Sequence, residues 1–136
     1  MANQAGNFGF RPVLMMGSSY QGQGQQEMKI NSNETNSIFM GDPVVLNANG
    51  AISRGGSLGA ELVGVFNGCF YTDPTTQKPT FSNHYPGGIV ASDIVANVIS
   101  DPNVIFTVKV DDTNGGRAQV GSTANIATYS AGSTKS

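Results

Sequence analysis

Two side chains invite a nucleophile-and-base reading: Cys69 and His84, the single cysteine and single histidine of a 136-residue chain. A thiol beside an imidazole can form an ion pair that attacks a carbonyl. The surroundings point elsewhere. Cys69 lies inside the apolar run Glu61 to Thr72, where a cysteine behaves as a small inert hydrophobe. His84 sits in Asn83-His84-Tyr85-Pro86-Gly87-Gly88, which reads as a solvated loop or an interface. No serine elbow accompanies it, so a Ser-His-Asp triad is unsupported. The nine carboxylates are dispersed, and Asp42, Asp73 and Asp101 each precede a proline, a turn-initiating pattern. Asp111-Asp112-Thr113-Asn114-Gly115 carries the oxygens of a loose calcium site. It lacks EF-hand spacing and a closing glutamate, so a plain turn is the expectation. Gly22 and Gly24 fall in a Gly/Gln-rich stretch without a strand-to-helix unit or a Walker lysine, which makes an exposed loop rather than a phosphate cradle. One cysteine and one histidine argue against a structural zinc. No catalytic, cofactor-binding or metal residue is expected, and no cofactor.

The elements that would position these residues belong to one domain, given about 150 residues per domain. A chain of this size buries roughly two thirds of its unfolded surface. Charged residues are 12% of the sequence and the net charge is −2, against a usual charged fraction of about 25%. Polarity comes instead from Gly, Ser, Thr, Asn and Gln. The seven basic residues are scattered and outnumbered, so no patch exists to displace counterions from nucleic acid. No apolar run approaches the ~18 residues of a membrane span. The opening Met1 to Asn7 has neither a basic nor an apolar segment of a secretory leader. The residues that favour long helices are scarce, so the chain should be mostly β and loop.

Arg11 to Met16 reads as a first strand, with Pro12 near its start. Gly17 to Gln26 reads as a loop, and Glu27 to Ile30 alternates like a half-buried strand. Ser37 to Met40 is short and apolar. Val44 to Leu46 and Ala51 to Ser53 flank the turn Asn47-Ala48-Asn49-Gly50. Glu61 to Thr72 is the clearest strand, and its Gly64 and Gly68 mark bulges or bends. Lys78 to Phe81 returns onto it as a hairpin. Asp93 to Ser100 and Val104 to Val110 are strands on either side of Asp101-Pro102-Asn103. The fold expected is all-β, a small barrel or sandwich of about eight short strands. The division expected is an extended N-terminal arm over 1–11, a β-barrel domain over 12–118, and a loose Ser/Thr/Gly-rich segment over 119–136.

Gly41-Asp42-Pro43-Val44-Val45, the Asn49-Gly50 turn with Ile52, and Gly64-Val65-Phe66 occur in order. This set resembles the small β-barrel decoration (cement) proteins of tailed-bacteriophage heads. Phe8-Gly9-Phe10-Arg11-Pro12 and Gly64 to Tyr71 resemble head structural proteins of marine and cyanobacterial phages. The resemblance covers residues 8 to about 112. It implies a virion protein on the outer capsid surface that clamps neighbouring major capsid protein subunits. It also implies a homo-oligomer (trimer or dimer) with no active site and no nucleic-acid or membrane partner. Phe8, Phe10, Arg11 and Tyr20 are the candidate capsid contacts, being of the types enriched at interface hot spots. A phage tail or baseplate component, or a receptor-binding adhesin, fits the same composition. A small hydrolase or glycan-binding enzyme would need paired carboxylates, with Asp93 as a member, or a reactive Cys69.

Overall fold

The structure is a computed structural model, and it describes residues 9–16, 24–55, 61–109 and 116–123. Among these residues eight strands make it all-β: β1 (Arg11–Met15), β2 (Gln25–Lys29), β3 (Pro43–Leu46), β4 (Ile52–Arg54), β5 (Leu62–Thr72), β6 (Pro79–Ser82), β7 (Val95–Ile99) and β8 (Val104–Thr107). One 3₁₀ turn, Arg117–Gln119, follows with every residue exposed. Six strands form one antiparallel sheet, in the order β2-β7-β5-β3-β4 with β6 on β5. The remaining two, β1 and β8, form a separate antiparallel ribbon.

β5 organises the large sheet because it runs for 11 residues and pairs with β3, β6 and β7. Its two glycines have different tasks. Gly68 takes a φ of +107° where the β5–β7 register slips between Phe66 and Cys69; an L side chain is strained there. Gly64 lies flat against β7, and a Cβ on it would collide with the Ile99 carbonyl. The bulge increases the local bend. The sheet curls until its outermost strands meet at one parallel bridge, Ile30 with Ile52. One bridge is not a ladder, so among the described residues the curled sheet does not close into a barrel, and the sandwich alternative is compatible with the two sheets.

The concave side holds the core: Ile30, Ile38, Val44, Ile52, Phe66, Cys69, Tyr71, Tyr85, Ile94, Ala96 and Val98. Each large apolar side chain buried there contributes roughly 1.5–3 kcal/mol. Turn chemistry follows the residues that signalled it. Asn47 Oδ1 accepts the amides of Asn49 and Ala51 at 3.0 and 3.1 Å, so β3 and β4 form a hairpin. The Asp73–Lys78 turn closes the β5–β6 hairpin, with Lys78 O accepting from Asp73 N at 3.0 Å. Two local readings are corrected. Gln25 and Gln26 are strand rather than loop, because Ile99 and Val98 of β7 supply partners irrespective of side chain. The short apolar stretch Ser37 to Met40 makes a single bridge, Ile38 with Tyr85. β7 begins at Val95 and β8 ends at Thr107. The Asp101-Pro102-Asn103 turn carries the chain from the large sheet to the ribbon.

Candidate interaction surface

The groups with chemical potential are engaged within the fold. Cys69 and Ser82 are register partners across the β5–β6 hairpin, which brings Cys69 near His84. The contact is to the wrong part of the histidine: Cys69 Sγ donates to the His84 backbone carbonyl at 3.6 Å. The imidazole stacks on Phe39, with centroids 5.5 Å apart and planes 10° apart, and its Nδ1 is 3.5 Å from Ser82 Oγ. Burial pushes the Cys69 thiol up to about 11. A thiol so raised is protonated at neutral pH and is a poor nucleophile.

The described aspartates are likewise placed by turns and strand ends. Asp73 Oδ1 accepts from Thr75 N at 2.8 Å, and Asp101 Oδ1 from Asn103 N at 2.8 Å. Both are Asx turns, as the Asp-Pro pairs suggested. Asp42 faces backwards, its Oδ2 accepting from Phe39 N at 2.9 Å. Asp93 receives two bonds from Thr72, the amide at 3.2 Å and the hydroxyl at 2.5 Å. Those bonds hold its carboxyl below the ordinary carboxylate range, the hydroxyl bond most. Among the described residues, no three His, Cys, Asp or Glu side chains gather where a metal ion could sit. Asp111 to Gly115 and Gly22 lie outside the described residues.

Of the four predicted contact residues, Phe10 and Arg11 are described, and Phe8 and Tyr20 lie outside the described residues. Phe10 N–H donates to Gly41 O at 2.9 Å. The chain passes so close there that a Cβ on Gly9 would collide with the Gly41 carbonyl. The Phe10 ring meets Phe106 edge-on, centroids 6.0 Å apart. With Pro12, it lines a small depression whose far wall is Val65, Phe66 and Ile99. Phe10 is therefore half-buried and anchors the ribbon, whereas Arg11 is exposed at the start of β1.

The ribbon sorts its residues by register. Pro12 pairs with Phe106 and Met15 with Val104, and these four are half-buried. Arg11 pairs with Thr107 and Leu14 with Ile105, and these four are exposed. A register shift after Pro12 places Val13 on the exposed surface too. The outer face thus presents Val13, Leu14 and Ile105, with Leu14 55% exposed, and Met16 and Val108 are exposed at its ends. Sequence reasoning named Arg11 but missed the aliphatic residues beside it.

A second apolar surface lies on the convex side of the large sheet. Phe70 and Phe81 pair across β5–β6 with ring centroids 4.7 Å apart, and Phe81 is 80% exposed. Phe70 also pairs with Val95 of β7, and Val95 with Lys29 of β2. The hairpin reading of Lys78 to Phe81 contained the signal, because it sets one phenylalanine across from the other.

Comparison of the chain with protein-family models, with characterised proteins and with solved structures gives no match.

Proposed function

We propose that this chain is a protein-binding structural module, and that its place is the outer surface of a tailed-phage head as a decoration (cement) protein. The observation that carries the reading is the outer face of the β1–β8 ribbon, where Val13, Leu14 and Ile105 are exposed beside Arg11. Aliphatic residues grouped on an exposed face suit burial against another protein. Low overall charge keeps the desolvation cost of such burial small. The ordered resemblance of Gly41 to Val45, Asn49-Gly50 and Gly64 to Phe66 supplies the more specific identity. The partner in this reading is the major capsid protein. The mechanism is avidity: each copy makes modest contacts with neighbouring subunits, and binding several at once multiplies their effect.

Copy number tests the proposal. The chain is counted against the major shell protein in purified particles by quantitative mass spectrometry. A simple integer relation to the shell subunit count is the expected result. A handful of copies per particle assigns the chain to the tail, baseplate or a receptor-binding adhesin. Absence from particles removes the virion reading altogether.

A further inference from the structure

Asn-Gly occurs three times in the chain, at Asn49-Gly50, Asn67-Gly68 and Asn114-Gly115. In this dipeptide no side chain on the second residue hinders its amide nitrogen from reaching the asparagine Cγ. Asn114-Gly115 lies outside the described residues. The fold treats the other two pairs differently. Asn67 and Gly68 lie inside β5, where its register with β7 slips. Gly68 is buried, and Asn67 Nδ2 donates to Gln25 Oε1 at 2.8 Å. Asn49 and Gly50 sit at the tip of the β3–β4 hairpin, both exposed. Among the described residues the Asn49 side chain makes no hydrogen bond. A Cβ on Gly50 would meet nothing within 4 Å. The restraint there comes from the backbone of the turn. Gly50 N–H donates to Asn47 O at 3.0 Å, and Asn47 Oδ1 accepts the amides of Asn49 and Ala51.

We propose that Asn49 is a site of spontaneous covalent modification in the folded protein, guarded by Asn47, while the fold protects Asn67. In the reaction, hydroxide takes the Gly50 amide proton and the nitrogen attacks Asn49 Cγ. The Cγ–Nδ2 bond breaks, and Nδ2 leaves as ammonia with a proton from water. Water then opens the resulting succinimide at either carbonyl, giving aspartate or isoaspartate. The attack needs a reacting geometry that the closed turn withholds, because Gly50 N–H is bonded to Asn47 O. A hairpin tip opens locally at far lower cost than the interior of a long paired strand. Asn67 would need β5 itself to open, and its leaving nitrogen is held by Gln25. Modification at Asn49 adds a negative charge to the turn. The isoaspartyl product also adds a backbone carbon just ahead of β4, whose Ile52 is fully buried and bridges Ile30. The inference is independent of the proposed virion role, because it concerns the isolated chain.

The test holds the full chain in warm, mildly alkaline buffer, once folded and once in urea. Peptide mapping by mass spectrometry follows the conversion of Asn49 and Asn67 with time. In the folded protein Asn49 should convert at least about tenfold faster than Asn67. In urea, where only the shared Asn-Gly sequence acts, the two rates should converge. Asn47→Ala removes the two hydrogen bonds that its Oδ1 accepts. It should speed conversion of Asn49 in the folded protein at least about threefold, as the loss of one ordinary hydrogen bond would. Conversion of Asn67 should stay slow, and an unchanged circular dichroism spectrum is the control for folding. The wild-type comparison decides the matter even where that variant does not fold. A folded protein in which Asn67 converts as fast as Asn49 overturns the proposal. So does an Asn49 that stays intact in the folded protein over the time that converts it in urea, or a preference for Asn49 that persists in urea. A folded Asn47→Ala variant that converts at the wild-type rate overturns the guarding role. None of these outcomes bears on copy number in particles.

Discussion

Asp93 shows how a carboxylate can be structural and still respond to pH. Two donors from Thr72 stabilise its charged form, so its folded-state pKa lies below that of the unfolded chain. The stabilisation is complete above the unfolded carboxyl value, about 3.9, and is lost as pH falls through the folded value. Acid should therefore weaken the tie between the end of β5 and the start of β7. Asp93→Asn should flatten the acid limb of stability against pH, measured by urea unfolding from pH 7 down to pH 2.5. An acid limb identical to wild type would remove Asp93 from this role. Tyr85 carries the complementary lesson. Its residue run reads as loop, yet the ring is fully buried. Its hydroxyl donates to Glu34 O at 3.0 Å and accepts from Ile89 N at 3.3 Å. A loop tyrosine becomes a core residue because both of its ends can be satisfied, the ring by apolar neighbours and the hydroxyl by backbone.

At the scale of elements, strand positions followed from local chemistry, while partners followed from geometry. The alternation in Val104 to Thr107 is visible in the sequence and reappears as half-buried and exposed residues. Which strand β8 joins is not visible. The turn at Asp101 to Asn103 forms as its residues dictate, yet it leads to β1 at the other end of the chain rather than back to β7. Gly64 and Gly68 were legible as departures from a regular strand, but their separate causes were not. Gly64→Ala tests this. Its methyl would meet a β7 backbone carbonyl, which cannot rotate away, so a loss of roughly 1–3 kcal/mol is expected. Chemical denaturation measures it. Gly50→Ala, where a Cβ meets nothing within 4 Å, separates steric collision from the strain of positive φ. A Gly64→Ala protein as stable as wild type would refute the close-packing account.

For the whole molecule, the issue is how a chain with few charges distributes its apolar residues. The concave side of one curled sheet receives the core, and the ribbon and the Phe70–Phe81 pair carry apolar residues outward. Deleting residues 1–11 would remove the Phe10 anchor and the first residue of β1 together, which confuses folding with binding. Leu14→Asp separates them. Leu14 is exposed, so stability should shift by no more than about 0.5 kcal/mol. Binding to particles should weaken at least about tenfold, as for an interface anchor. Thermal unfolding and particle co-sedimentation are the two measurements, and undiminished co-sedimentation would exclude the ribbon face as the contact. By itself, the sequence determined the all-β class, most strand positions, the turns and the positions of the β5 irregularities. These depend on side-chain alternation, proline, and short-range hydrogen bonds from Asp and Asn, all of which act within a few residues. Only the tertiary structure decided that the described strands curl without closing into a barrel, that Cys69 meets the backbone of His84 rather than its ring, and that Leu14 and Ile105 share one exposed face. Those outcomes rest on pairing between distant strands, where backbone hydrogen bonds carry no label of their partner and packing selects the register.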